Sequence, residues 1–562
     1  MSRRAPRAVD SKENWHFWWN YNKDGFLNLK AAVYKAAGQI QTESPEFFFG
    51  RSTQRVVAAD TNRPTDSDLG KRVIPSLTRA LADPVADVRY RAAIALGRVG
   101  GPAEVKVLVG ALADSNYTVR EGAATGLALL RAEAARPYLA ALLEFGEEGR
   151  KLVKRQTSFD GIRGIAAIGL ALLGEDDAGS VRALLMRHIK YRKHSHHIPM
   201  MCTIGLGLLI GDEQYVRGIL DRLEALSAPG SRFDNWTRAQ AVVATGRLIK
   251  RNGLKAGEKT VRKMIRILER GETVHLRRSA AIALGHLHGW TAPDPVMVKA
   301  LVKAHRDSGD GMVRNLAAIS LGRIGGQKAL VALTDGVIRG RGQRRVYSGL
   351  GLGILCANLD REAEHERRVR GLAALTAAFD KARDPDVKGG LAIALGIADE
   401  RDSGGILLSA LREVKDVGFR GDCAVALGMV GHREATRFLL DLLSESDSLP
   451  LLKEKVAIGL GLMGTREAVP PLVQALKNAR SAYALRSITQ SLGFIGDRTA
   501  IHPLAELVNG ERTQTLTRVF ACSALGAIGD PRNLPLLTAV RTDHNFLGCC
   551  TELNYLLAAV NR

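Results

Sequence analysis

A chain of 562 residues with a 46% hydrophobic and 25% charged composition is ordered protein, and its 58 glycines without a triplet period exclude a collagen-like one. Lys and Arg number 80 against 58 Asp and Glu, a net charge of +22, so an acidic partner is expected unless the excess serves solubility alone. The surplus is regional: residues 151–350 hold 34 Lys and Arg against 16 Asp and Glu, and also eight of the 13 histidines.

Residues 1–12 read as a basic, flexible tail without the apolar stretch of a secretory signal. Residues 13–69 follow as an aromatic helical cap and linker, with Trp15, Trp18 and Trp19 clustered at the start. They are expected to cover the first repeat, the alternative being an aromatic docking site.

From residue 70 onward the chain repeats itself. Val88-Arg89 to Gly97 recurs at Leu276-Arg277 to Gly285, Val313-Arg314 to Gly322, Val387-Lys388 to Gly396, Phe419-Arg420 to Gly428 and Thr517-Arg518 to Gly526. Weaker copies are anchored at Arg120, Arg163, Met200, Arg238, Arg345, Lys453, Leu485 and, by extending the period, Thr551. That makes about fourteen units, spaced mostly by 31–39 residues with two intervals of 43, room for two helices and two turns. Apolar periodicity of 3.6, Gly after each helix and Asp or Pro in the preceding turn predict helix–turn–helix throughout. Residues 70–350 form the first block, basic over 151–350, and 351–562 form a more regular block with a C-terminal cap.

This D-P-x-x-x-V-R-x-x-A-A-x-A-L-G signature, clearest at Asp83-Pro84 before Val88-Arg89, resembles that of HEAT-repeat proteins, more narrowly the short HEAT-like repeats of phycobilisome lyases. The resemblance covers roughly residues 70–562. It implies an all-α, elongated, right-handed solenoid, a curved rod on the order of 130 Å long at about 10 Å per layer. It also implies that the second helix of each unit lines the concave side, and that the repeated arginines bond turn carbonyls and Asp in a ladder between repeats.

Nine residues beyond each anchor the chain places Arg247, His286 and Arg323 in three consecutive repeats, and Arg98 in the first, where other repeats carry apolar residues. Such a row is a candidate stripe of phosphate contacts or a composition effect; if it binds, reversing Arg247 and Arg323 weakens the partner without unfolding the rod. Further along, Lys259, Arg262, Lys263, Arg266 and Arg270 fall on one side of a helix opposite Val261, Ile265 and Leu268. This is either a solvated face or an electrostatic one. Arg192, Lys193, His194, His196 and His197 form a basic loop suited to anions more than to a metal, having no neighbouring Cys or carboxylate. Arg341, Arg344 and Arg345 mark a second basic turn.

Other signals lead elsewhere. Gly459 to Gly464 matches a dinucleotide-binding pattern inside a helix, without the strand that chemistry needs. His365-Glu366 is a single His-Glu pair where HEAT-like hydroxylases need several. Asp234, Trp236 and Arg238 supply the residue types, though not the spacing, of HEAT-like DNA glycosylases. The cysteines sit in apolar helical patterns or, at Cys549-Cys550, side by side, which favours a reducing, cytoplasmic setting. No run of about 18 apolar residues suggests a membrane span. The reading is a non-enzymatic scaffold without cofactor, binding an acidic protein or peptide through its basic centre, with sequence-nonspecific nucleic-acid binding as the alternative.

Overall fold

The structure, a computed structural model, describes residues 14–27, 63–157, 160–176, 179–190, 197–287, 294–446, 448–463, 465–479, 482–532 and 538–543. Arg192, Lys193, His194 and His196, Cys549-Cys550, the expected tail at 1–12 and the extrapolated repeat at Thr551 lie outside them.

Each repeat forms for local reasons. In the turn before helix Gly311–Ile324, Asp310 accepts a hydrogen bond from the Val313 N–H at 2.8 Å, satisfying a donor the first helical turn leaves open. The run Leu316-Ala317-Ala318-Ile319-Ser320-Leu321-Gly322 is buried, with small residues where helices touch. A Cβ on Gly322 would stand 2.2 Å from the Gly351 carbonyl oxygen, so the two backbones approach as closely as they do only because that side chain is missing. The same contact recurs between Gly97 and Gly126 and between Gly428 and Gly459.

The two intervals of 43 have structural causes. An additional helix, Glu147–Val153, is inserted before Asp160–Leu173. In the second, helix His365–Lys381 runs 17 residues after an extra turn.

Among the described residues there are thirteen inner helices, from Ala86–Val99 to Thr515–Gly529, each packed on the next, with the preceding helices forming an outer layer. The all-α solenoid is therefore as expected. Its elongation is not: helix Thr515–Gly529 packs along Ala86–Val99, and the rod closes into a ring. The small-residue surface that joins neighbours also joins first to last, since a Cβ on Gly526 would lie 2.7 Å from Ala95 Cα. Polar links follow the seam. Arg518 donates to Asp83 at 2.6 Å, Arg498 pairs with Asp68 at 2.9 Å, and Asn509 donates to Ser76 at 2.9 Å. Thirteen layers at roughly 10 Å give a circumference on the order of 130 Å, the expected rod bent onto itself.

The tryptophan-rich segment does not cover the first repeat. Helix Trp15–Leu27 lies against inner helices Gln343–Asn358 and Pro385–Ile397 and against the short helix Thr538–Arg541. Trp15 and Trp18 are fully buried, and Trp15 Nε1 donates to Asp386 at 3.1 Å. With the first repeat already flanked by the last, no apolar end face is left there for a cap.

Candidate functional site

Two short segments hold contacts spread around most of the ring. Arg532 donates to the carbonyls of Leu129 and Arg98, and Asp530 faces Arg98 at 3.5 Å. Residues 540–543 meet Arg247, His286 and Arg323. Helix Trp15–Leu27 reaches Gln343 through the Trp15 N–H, Asp386 and Asp422 through His16, and Glu454 through Lys23. Arg541 ties the segments together, donating to the Asn20 carbonyl at 2.8 Å and pairing with Asp24 at 2.9 Å. A segment can touch repeats this far apart around a closed ring only from near its axis, so residues 15–27, 530–532 and 538–543 form a hub.

The basic stripe faces this hub. Arg323 donates to both Asp543 carboxylate oxygens, at 2.8 and 3.0 Å, and His286 Nε2 lies 2.9 Å from the same group. Arg247 donates to the carbonyls of Val540 and Thr542. Arg247 and His286 are only 7% and 6% exposed. The carboxylate that this expected row of phosphate contacts meets belongs to its own chain. Burial lowers the Arg247 guanidinium to about 10 and the His286 imidazole to about 4, against the attraction of Asp543 in both cases. Asp543 itself is held well below the usual carboxylate range: burial opposes its charge, but Arg323 and His286 outweigh it.

His16 is the counterpart on the N-terminal side. Its ring nitrogens stand 3.2 Å from Asp386 and from Asp422, and Lys455 donates to Asp422 at 2.7 Å. Burial works against the imidazolium, but the hydrogen bonds to the two carboxylates prevail and its pKa is raised.

The other expected residues are dispersed. On helix Glu258–Arg270, Lys259, Arg262, Arg266 and Arg270 are exposed, Arg262 pairing with Glu258. Lys263 is partly buried and donates to the Glu224 carbonyl at 2.8 Å. His197 is partly buried at the start of helix His197–Leu206. Arg341 is exposed in the turn before helix Gln343–Asn358, and Arg344 is partly buried on that helix's first turn.

The arginine ladder is present: Arg89 grips Asp114 at 2.8 and 3.0 Å and Arg238 pairs with Glu272 at 2.8 Å, while Arg278, one residue past its anchor, grips Asp310 at 3.0 and 2.8 Å. Two other signals are parts of the repeats themselves. Asp234 caps its helix through the Trp236 and Thr237 N–H groups, and Trp236 packs on His275 with ring centres 4.2 Å apart, so the Asp-Trp-Arg trio builds a turn. Gly459 and Gly461 sit inside helix Pro450–Leu462. Cys202, Cys356, Cys423 and Cys522 are free and buried, and burial pushes the thiols of Cys202, Cys356 and Cys522 up to about 12. Among the described residues no group of three or more His, Cys, Asp or Glu could hold a metal ion, and no helix is long and apolar enough to cross a membrane.

Asp530, Asp543, Asp386 and Asp422 were not singled out by the sequence. The available signal was a basic stripe with no complementary acid in its own repeats.

A HEAT-repeat family model matches residues 74–152, 445–520 and 469–547. Repeat and fold agree here: the chain carries HEAT repeats. Among solved structures it is similar to YibA of Escherichia coli (16% identity, TM-score 0.31, covering 52% of this chain and 94% of that one). It is also similar to human deoxyhypusine hydroxylase (18%, 0.21, 59% and 97%) and to Kap121p bound to Pho4p (12%, 0.36, 80% and 56%). These likenesses are of fold alone. No curated protein matches the sequence.

Proposed function

We propose that this ring is a non-enzymatic protein-interaction scaffold whose partner is an acidic protein or peptide, bound on the outer surface of the central repeats. The observation that carries this is helix Glu258–Arg270, where four exposed cations are diluted only by Glu258 and Glu269. The inner stripe has its carboxylate already, so the outer layer is where cationic side chains remain open to a second molecule. Such a surface acts through long-range attraction and is screened by salt. The test is capture of partners from a lysate with and without nuclease, comparing the native chain with Arg262→Glu/Arg266→Glu. Capture of an acidic protein that survives nuclease and falls with the double reversal supports the reading. If only duplex DNA or RNA is retained, the surface is a nucleic-acid binder instead.

A further inference from the structure

Some rungs of the arginine ladder end on a carbonyl rather than an acid: Arg314 donates to Ser308 and Arg345 to Ile338. Arg89 and Arg238 each reach an acid in the following turn, and Arg518 does so across the seam. Arg345 holds the corresponding place on helix Gln343–Asn358, and the acid available to it is Asp384. It does not reach that acid: it donates to the Ile338 carbonyl at 3.2 Å, and its Nε, like those of Arg238 and Arg518, is buried without a partner. Asp384 instead caps its own helix, accepting from the Asp386 N–H at 2.9 Å.

Between the two residues the surface opens into a cleft of about 160 Å³ lined by Arg341, Gly342, Arg345, Arg383 and Asp384, together with Ala382 and Val387. Arg341 and Arg383 are exposed. Three guanidinium groups against one carboxylate leave a local excess of two positive charges. The cleft also opens at the start of a 16-residue helix whose N-cap, Gly342, has no side chain to accept the first-turn N–H groups.

We infer that this cleft binds an oxyanion of the phosphate type. A tetrahedral dianion matches the charge excess, offers each guanidinium fork an oxygen, and gives the uncapped helix start the acceptor it lacks. The inference goes beyond the scaffold reading and does not rest on it, since the ligand is small and the residues are on different elements from Arg262 and Arg266.

The test is calorimetric titration of the full chain with inorganic phosphate, and separately with O-phosphoserine, at fixed ionic strength. Saturable binding is expected, weakened about tenfold or more in Arg341→Gln/Arg383→Gln and unchanged in Arg262→Gln/Arg266→Gln. Asp384→Asn, which keeps a helix cap and removes the repelling charge, is expected to tighten it. The ratio of the two ligands distinguishes a free anion from a phosphate monoester. Absence of saturable heat, or equal weakening in both double variants, overturns the inference.

Discussion

Asp543 shows how much can depend on one side chain. It is fully buried, and Arg323 and His286 converge on it from two repeats. Removing one member of such a group strands the others, so Asp543→Ala is expected to cost about 3–5 kcal/mol, read from the urea midpoint. Reversing Arg247 and Arg323 is therefore expected to disrupt the fold, against the expectation drawn from the stripe alone. The two hub histidines set opposite pH limits. His286, lowered from 6.5 to about 4, is neutral in the fold, so stability falls as pH drops from about 6.5 toward 4, where the unfolded chain takes up the proton first. His16 is raised above 6.5, so its contribution is complete below that value and fades as pH rises through the raised one. Tryptophan fluorescence of Trp15, Trp18 and Trp19 against pH measures both limbs. His16→Gln is expected to flatten the alkaline limb alone; an unaltered limb would remove His16 from that role.

At the level of elements, glycines divide by neighbour. Gly322 faces the Gly351 backbone, and Gly322→Val is expected to cost about 1–3 kcal/mol or more through overpacking. Gly110, in outer helix Val105–Ala111, has nothing within 4 Å of a would-be Cβ, and Gly110→Ala is expected to stabilise by about 0.5–1 kcal/mol. Thermal denaturation of the pair checks both signs. This division explains what the sequence revealed. The A-A-x-A-L-G run was legible because inner helices pack through small side chains at every layer, and the Arg anchors because each bonds within its own or the next turn. The hub was not legible. Trp15 meets Asp386, and Arg247 meets residues 540–542, across hundreds of positions, and no local period carries that information. The cations on helix Glu258–Arg270 were visible as a face, but whether a cation points outward or toward a buried acid depends on closure.

For the whole molecule, closure replaces two exposed end faces with one more internal contact. Repeat stacks are held by nearest-neighbour interfaces, so an open array frays from its ends, whereas a ring has none to fray. The seam is the place to test this. Arg498→Glu with Arg518→Glu sets like charges against Asp68 and Asp83, and is expected to raise the radius of gyration in small-angle scattering while helical content stays near native. An unchanged radius would mean that apolar packing of Gly526 on Ala95 closes the ring without these pairs.

A closed ring also fixes its own arithmetic. An open solenoid can gain or lose a unit and keep every remaining interface, which is how such arrays lengthen and shorten. Thirteen units sharing a full turn each contribute about 28° of bend, and removing one asks the other twelve for about 30° apiece while moving every hub contact. The number of repeats is then a property selected as a whole, like the tooth count of a gear, and duplication or loss of a single unit becomes a step that the ring and its hub must take together.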